Sequence, residues 1–229
     1  MQTKIIAHRG FWQTVNSAQN SISSLKNAQG LKVYGSEFDV RMTKDGKLIV
    51  NHGEKFNDIE ISESNWSVLK KQKLHNGEKI PTFKNYLKQG KKNSTVKLII
   101  ELKPAKKPEL ETQMVEKALK EVSRFELSEQ CEFISFSLNI CKEIKKRNGK
   151  TIVLYLSGDL SPEKLVQLGI DGFDYHYTVL QKNPNWIHEA QNLGLITNTW
   201  TVNDESVFRE LKNSGIAYIT TDIPHLLNG

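Results

Sequence analysis

The fold prediction for this chain rests on the stretch YGSEFDVRMTKDGKLIVNHG, residues 34–53. Successive side chains point to opposite faces of a β-strand, so Glu37 and Asp39 share one face while Phe38 and Val40 share the other. The stretch therefore begins with a strand that has two carboxylates on one face and apolar side chains on the opposite face.

The second half of the same stretch predicts a hairpin. Asp45-Gly46 suits the positive-φ positions of a tight turn over residues 43–47. A returning strand at residues 48–51 then brings His52 close to the two carboxylates of the first strand.

The carboxylate pair indicates a cation site. Two acids on one face of an apolar strand need a positive partner, and hard divalent cations prefer carboxylate oxygens. The strand at 97–103 repeats the pattern, because it is apolar on both faces before Glu101, which shares a face with Lys103. We interpret Glu37, Asp39 and Glu101 as a metal site with three carboxylates. The alternative for the first pair is the solvent-exposed face of a half-buried strand.

Eight predicted strands alternate with helices along the 229 residues. The first strand lies at 4–7, the second carries Glu37 and Asp39, and the others lie at 97–103, 132–136, 151–156, 172–175, 196–202 and 217–220. Helices are predicted at 22–30, 81–87, 109–125, 139–147, 161–168, 183–193 and 205–214. This pattern favours an α/β fold, a single-domain (β/α)8 TIM barrel over residues 1–229, over an open doubly wound sheet. Residues 54–80 are predicted to form a small, irregular insertion with a short helix near 64–71.

The active sites of (β/α)8 barrels lie at the carboxyl-terminal ends of the strands. Seven residues with suitable side chains occur at or near such ends: His8, Glu37, Asp39, Glu101, Lys103, Trp200 and Asp222. This coincidence is a stronger indication of an active site than any single motif.

Two histidines and an arginine are further candidates. Arg9 suits bidentate recognition of phosphate; a structural ion pair with one of the acids is the alternative, and the two roles are compatible. His8 follows the first strand, and His52 comes off the hairpin near the same mouth of the predicted barrel. The two imidazoles could therefore face each other across a substrate as acid and base.

Aromatic residues at the same end have two interpretations. Trp200 is predicted to line the pocket as a substrate-binding residue, to fill the barrel top, or both. Phe11 and Trp12 form either an apolar rim for the leaving group or a packing contact. For the four other histidines a surface or core position is predicted: His75, His176, His188 and His225.

The composition argues against nucleic acid as a partner. Apolar residues make up 38% of the chain and charged residues 25%, as in ordinary globular proteins. The formal charge is +6, but the lysines are scattered and no basic block is interleaved with aromatic residues. A general attraction for anionic substrates is consistent with this charge.

The sequence says less about the cellular location and the oligomeric state of the protein. No stretch approaches the ~18 apolar residues of a membrane span, so no integral membrane segment is predicted. No signal peptide precedes the first strand, which suggests a cytoplasmic protein. Because removal of a signal peptide would leave the same sequence, a periplasmic or secreted location stays open, as does the oligomeric state. Cys131 and Cys141 lack metal-site spacing and are predicted to be free thiols.

Together, these motifs resemble those of the glycerophosphodiester phosphodiesterase family, a group of TIM barrels. The resemblance covers the whole chain and rests on the order and spacing of AHRG at 7–10, QNS at 19–21, EFDV at 37–40, TKDG at 43–46, VNH at 50–52, IELK at 100–103, SF at 135–136, TWTVN at 199–203 and TDIP at 221–224. It implies hydrolysis of a small glycerophosphodiester to glycerol 3-phosphate and an alcohol, within glycerol and lipid metabolism.

The resemblance also implies residue roles. A divalent metal ion, Mg²⁺ or Ca²⁺, would be held by Glu37, Asp39 and Glu101. His8 and His52 would be the acid/base pair, with the assignment of acid and base open, and Arg9 and Lys103 would contact phosphate.

The chain departs from the family pattern at two positions. Gly53 stands where an Asp usually follows the second histidine, and Gln19 stands where a Glu is usual. Neither replaces a proposed ligand, so activity is expected, while the orientation of His52 and the choice of headgroup stay open. Phospholipase C- or D-like action on intact lipids and a catalytically idle phosphodiester-binding module are the alternatives.

Overall fold

Parallel strands close into a barrel in the computed structural model, which describes residues 2–227. In chain order the strands are β1 (Lys4–Ala7), β2 (Gly35–Met42), β3 (Leu48–Val50), β4 (Lys55–Phe56), β5 (Ile59–Glu60), β6 (Lys97–Leu102), β7 (Cys131–Ser135), β8 (Val153–Tyr155), β9 (Gly172–His176), β10 (Ile196–Trp200) and β11 (Tyr218–Thr221). The barrel order is β1-β11-β10-β9-β8-β7-β6-β2, and pairing of β1 with β2 closes it. The predicted (β/α)8 barrel is confirmed.

Helices connect these strands on the outside of the barrel. They are α1 (Ile22–Gly30), α2 (Trp66–Leu69), α3 (Phe83–Gly90), α4 (Pro108–Arg124), α5 (Leu138–Arg147), α6 (Pro162–Gln167), α7 (Tyr177–Lys182), α8 (Trp186–Asn192), α9 (Glu205–Asn213) and α10 (Pro224–Leu227). Polar residues set several of their starts: the side chains of Ser21, Thr82 and Ser161 accept hydrogen bonds from backbone N–H groups of the first turns of α1, α3 and α6. Over residues 2–227, no helix has the length and apolar character needed to cross a membrane.

Strand alternation divides the apolar residues into two layers. Phe38 and Val40 of β2 are fully buried outside the barrel, where the Phe38 ring lies 4.2 Å from the Tyr86 ring of α3. Inside the barrel, a smaller apolar cluster contains Ile6, Ile99, Ile134, Leu154 and Leu156. Glu37 and Asp39 are therefore carried on the inner face, as the alternation predicts.

The chain between β3 and α3 is more ordered than predicted. Residues 54–80 contain the two-stranded β4–β5 hairpin as well as α2, and bury an apolar cluster of their own that includes Phe56, Ile61 and Leu69. The strands have only two residues each, too short for a periodic pattern in the sequence. The expectation of an irregular segment was wrong in this respect.

The helix predicted at 183–193 corresponds to α8, and a helix that was not predicted, α7, precedes it. α7 begins directly after β9, with the His176 side chain as its N-cap, and α8 begins after Asn183-Pro184. A residue before proline avoids the helical region, which explains the break. α7 was not predicted from the sequence because Tyr177-Thr178-Val179 is typical of a strand.

Both cysteines are buried and unpaired, as predicted. Burial raises the pKa of the Cys131 and Cys141 thiols to about 12, so both are neutral near pH 7.

Candidate active site

A pocket of ≈ 420 Å³ opens at the carboxyl-terminal ends of the barrel strands. Its lining combines charged, imidazole and apolar side chains: His8, Arg9, Glu37, His52, Glu101, Lys103, Ile134, Phe136, Leu156, Asp174, Trp200 and Thr220. Of the eight site residues predicted from the sequence, Asp39 is the one that lies behind this lining, with 1% of its surface exposed. The structure therefore brings the predicted residues together.

Three carboxyl groups cluster at the base of the pocket. Glu37, Asp39 and Glu101 each offer an oxygen within 4.8 Å of the others, and all three are buried. Asp39 and Glu101 are direct neighbours in the parallel pairing of β2 with β6. Lys103 contacts two members of the cluster, with its Nζ 2.7 Å from Asp39 Oδ1 and 2.6 Å from Glu101 Oε1.

The cluster carries more negative charge than its surroundings stabilise. Burial, followed by the charges of Asp39 and Glu101, raises the pKa of Glu37 well above its ordinary value. Burial also raises the pKa of Glu101 to about 7, despite the opposing charge of Lys103. Burial acts in the same direction on Asp39, but Lys103 and Arg9 outweigh it and lower the pKa of Asp39. Burial lowers the pKa of Lys103, but the two carboxylates outweigh it and raise that pKa.

These residues fit a divalent cation. Glu37 Oε1 is buried and has no hydrogen-bond partner among the described residues. A buried carboxylate oxygen without a partner is costly, and a hard cation is the ligand such an oxygen prefers. The cluster could therefore hold a metal ion.

Arg9 connects the cluster to the first strand. Its backbone is in the left-handed region, with φ 55°, and its N–H donates to Glu37 Oε2 over 2.8 Å. Its guanidinium donates from Nη1 to Gln19 Oε1 over 2.7 Å, and its Nε lies 3.4 Å from Asp39 Oδ2. Arg9 thus makes the ion pair that was one alternative, and it also lines the pocket.

Asn20 orients Asp39, a role that sequence reasoning missed. Its Nδ2 donates to Asp39 Oδ2 over 2.8 Å, and its Oδ1 accepts from the Asp39 backbone N–H over 3.1 Å. Asn20 has φ 60°, a conformation that Asn tolerates better than most residues. Its place in the QNS motif was the signal available in the sequence.

Asp222, one of the residues at the predicted strand ends, pairs with His8. His8 Nδ1 lies 2.8 Å from Asp222 Oδ1, which leaves Nε2 available to a substrate. Asp222 also accepts hydrogen bonds from Asn203 Nδ2 over 2.7 Å and Trp12 Nε1 over 3.3 Å. Burial raises the pKa of Asp222, but its contacts, with His8 the largest, outweigh burial and lower it. Asp222 therefore stays ionised and fixes the His8 ring.

His52 lies at the rim, between two pockets. Its ring remains accessible to solvent. Partial desolvation, together with the charges of Lys103 and Arg9, outweighs the opposing charge of Asp39 and lowers the pKa of His52 to about 4. Its backbone carbonyl accepts a hydrogen bond from Arg41 Nε over 2.9 Å, which anchors the loop.

The second pocket, of ≈ 690 Å³, is more open. It is lined by His52 together with Trp12, Ala18, Gln19, Asn20, Asn51, Leu74 and His75. His75, predicted to be a surface or core residue, thus lies at a pocket. Phe11 packs its ring 4.9 Å from the His225 ring and does not line either pocket.

The lining of the first pocket also includes several apolar side chains and one carboxyl group outside the cluster, that of Asp174. Trp200 packs edge-on against Phe136, with ring centroids 5.6 Å apart, and its Nε1 donates to the Asp174 carbonyl over 3.0 Å. The Asp174 side chain is 1% exposed, and burial, followed by the charge of Glu101, raises its pKa well above the ordinary value. Sequence reasoning did not single out Asp174.

Comparison with known proteins identifies relatives along the whole chain. The model of the glycerophosphoryl diester phosphodiesterase family matches residues 8–226. A glycerophosphodiester phosphodiesterase from Caldanaerobacter subterraneus subsp. tengcongensis is 27% identical, over 99% of this chain and 97% of its own. One from Bacillus altitudinis is 25% identical, over 97% and 95%.

Solved structures agree with these matches. The crystal structure of a glycerophosphodiester phosphodiesterase from Parabacteroides distasonis has a TM-score of 0.98 and 42% identity, covering 99% of this chain and 95% of that one. A phosphodiesterase from Oleispira antarctica, solved in complex with the product sn-glycerol-3-phosphate, shares the fold with a TM-score of 0.86 and 20% identity, covering 99% and 96%.

Proposed function

The chain belongs to the glycerophosphoryl diester phosphodiesterase family, and we propose that it hydrolyses small glycerophosphodiesters to glycerol 3-phosphate and an alcohol with the help of one divalent cation. The enzyme class, a phosphoric diester hydrolase, follows from the family and its named relatives. The cation requirement is supported by one observation above all, the buried cluster of three carboxyl groups beside the pocket.

The charged residues of the pocket suit a phosphodiester. Glu37, Asp39 and Glu101 would hold the cation, Mg²⁺ or Ca²⁺, both of which prefer oxygen ligands. When bound, the ion supplies electrophilic stabilisation of charge on the phosphoryl oxygens. Arg9 and Lys103 line the same pocket, where they bind the phosphate and offset the charge that develops in the transition state. Trp200 forms the apolar wall against which the substrate packs.

Two histidines supply proton transfer. His52, with a pKa of about 4, is neutral near pH 7 and accepts a proton from the water whose oxygen attacks phosphorus, as the bond from phosphorus to the alcohol oxygen breaks. His8 is held by Asp222 through Nδ1, and the negative charge of Asp222 compensates an imidazolium, so Nε2 protonates the departing alkoxide. These assignments make His52 the general base and His8 the general acid.

The second pocket suits the departing alcohol. It shares His52 with the first pocket and is larger and more open, as a site for variable headgroups should be. Trp12 and Leu74 offer apolar contacts there, and His75 offers a polar one.

The proposal is tested by turnover of glycerophosphocholine, glycerophosphoethanolamine and glycerophosphoglycerol after removal of metal with EDTA. Addition of Mg²⁺, Ca²⁺ or Mn²⁺ is expected to restore release of glycerol 3-phosphate, measured by ³¹P NMR, and His8→Ala serves as the inactive control. Absence of turnover with all three metals, or turnover that survives EDTA, contradicts it. Tight phosphodiester binding without turnover would instead indicate an idle binding module.

A further inference from the structure

Asp174 is a buried carboxyl group that the proposed catalysis does not use. It belongs to the inner face of β9, is 1% exposed, and its Oδ1 has no hydrogen-bond partner within residues 2–227. The charge that acts on it most is that of Glu101, which has the same sign. A buried polar atom without a partner costs stability, so its presence calls for a ligand.

The position of Asp174 indicates what kind of ligand. Asp174 lines the first pocket, and it is outside the cluster of three carboxyl groups that could hold a metal. Its companions on the wall are Ile134, Leu156 and Trp200, which offer apolar contacts to carbon atoms. Thr220 lines the same pocket, and its hydroxyl accepts a hydrogen bond from Asn198 Nδ2, whereas Asp174 Oδ1 has no partner within residues 2–227. A free hydrogen-bonding group beside apolar side chains suits a small ligand with both C–H and O–H groups.

The two pockets differ in size and suit different halves of a glycerophosphodiester. The first is the smaller, with ≈ 420 Å³ against ≈ 690 Å³, and is lined by Asp174 as well as by Glu37 and Glu101 of the carboxylate cluster. The constant half of a glycerophosphodiester, the glycerol phosphate, matches the smaller pocket, and the variable alcohol matches the larger one.

We propose that Asp174 is a specificity-determining residue whose carboxyl group hydrogen-bonds the free hydroxyl groups of the glycerol moiety, and that it thereby selects deacylated diesters over intact phospholipids. This inference rests on the proposed function. In an intact phospholipid, both glycerol hydroxyls are esterified, so they have no O–H to donate. A site that hydrogen-bonds a hydroxyl discriminates strongly against an analogue without it, because the buried group is left unpaired.

The test compares two diesters with the same leaving group, glycerophosphocholine and n-propyl phosphocholine, which lacks both hydroxyls. We expect Asp174→Leu, an apolar change of similar shape, to lower kcat/KM for glycerophosphocholine by about 10- to 100-fold and to leave n-propyl phosphocholine nearly unchanged. Asp174→Asn keeps a hydrogen-bonding oxygen and should retain part of the preference. Glu132→Gln, at a buried carboxyl at the opposite end of the barrel, is the matched control and should leave the ratio unchanged.

A second measurement uses the wild-type enzyme and so does not depend on how a variant folds. Glycerol 3-phosphate should inhibit at least about 10-fold more strongly than n-propyl phosphate. Equal inhibition by the two, an equal loss of both activities in Asp174→Leu, or a loss of metal affinity in that variant would each overturn the inference. Wild-type turnover of neither diester would overturn the proposed function and the inference with it, whereas turnover of both at equal kcat/KM overturns the inference alone.

Discussion

Buried carboxyl groups occupy both ends of the barrel interior, but they are stabilised differently. At the amino-terminal end, Glu132 accepts a hydrogen bond from the Tyr34 hydroxyl, and the Lys4 ammonium lies 5.0 Å from the centre of the Tyr34 ring. At the carboxyl-terminal end, oxygens of Glu37 and Asp174 have no partner within the described chain. Buried polar groups whose hydrogen bonds are made within the protein help to specify its structure, whereas buried polar groups without a partner are available to bind a ligand.

This difference predicts opposite outcomes for substitutions at the two ends. A change at the amino-terminal end should cost stability and leave chemistry intact. A change at the carboxyl-terminal end should cost chemistry and leave stability intact or higher, because natural active sites retain unfavourable contacts that function requires.

The largest effect is expected at the carboxylate cluster. Glu37→Gln should lower kcat/KM for glycerophosphocholine by about 10⁴-fold, since a bound metal contributes several kcal/mol to the transition state. The same change should raise the Tm of the metal-free protein, because burial and two like charges already disfavour the Glu37 carboxylate. Steady-state kinetics and calorimetry in EDTA measure the two effects.

Addition of Mg²⁺ or Ca²⁺ supplies the control for this prediction. It should raise the Tm of the wild type, because a ligand that binds only the folded state stabilises it, and should fail to do so in Glu37→Gln. If Glu37→Gln keeps its activity, or is less stable than the wild type in EDTA, Glu37 supports the fold, as Glu132 does, and does not bind the metal.

The second largest effect distinguishes the roles of the two histidines by whether the leaving group needs a proton. His8→Ala should lower kcat/KM for glycerophosphocholine roughly 10³-fold, because the choline alkoxide needs a proton as it leaves. With a p-nitrophenyl diester the loss should be much smaller, since p-nitrophenolate leaves without protonation. His52→Ala should impair both substrates alike, and its comparison with His8→Ala is the control. Equal leaving-group sensitivity in the two variants would refute the assignment of His8 as the acid.

The third effect concerns pH. His52 acts as a base only when unprotonated, and its pKa is lowered to about 4, so it is almost entirely unprotonated at pH 5.5. An ordinary histidine, with a pKa near 6.5, would be about 90% protonated there. With saturating metal, kcat/KM at pH 5.5 should therefore stay close to its value at neutral pH. A base with the pKa of an ordinary histidine would make kcat/KM about 10-fold lower at pH 5.5. An acidic limb near pH 6.5, or an NMR titration of His52 at that pH, is incompatible with this.

Strand periodicity predicted the part of the site that is local in sequence. Glu37 and Asp39 are two residues apart, so alternation alone places both on one face, and the apolar run before Glu101 indicates a buried strand. The barrel then follows from the order of strands and helices, and the rule on strand ends brings these residues together. In this way the architecture and the eight proposed site residues were accessible without coordinates.

The contacts that complete the site were not accessible. His8 and Asp222 are 214 positions apart and meet because β1 pairs with β11 at barrel closure. Asn20 reaches Asp39 from a loop whose left-handed backbone has no periodic signal. Asp174 lies on a correctly predicted strand, but its significance is the lack of a partner, and a sequence shows only which residues are present.

The smallest effect, and the test of the amino-terminal end, is Tyr34→Phe. The phenol donates to the Glu132 carboxyl group, so its removal leaves a buried carboxyl without its hydrogen bond, at a cost of about 1–3 kcal/mol. For a chain of this length each kcal/mol lowers Tm by about 2–4 °C. Activity should change less than about twofold, because the residue lies outside both pockets that flank His52.

The double variant Tyr34→Phe/Glu132→Gln isolates the cause. If the loss comes from the unpaired carboxyl group, neutralising Glu132 should recover part of it, since a neutral amide costs less to bury than a carboxylate. A loss of activity in Tyr34→Phe with Tm unchanged would mean that the two ends of the barrel interior are not divided between stability and chemistry, and the partnerless oxygens of Glu37 and Asp174 would then need a different explanation.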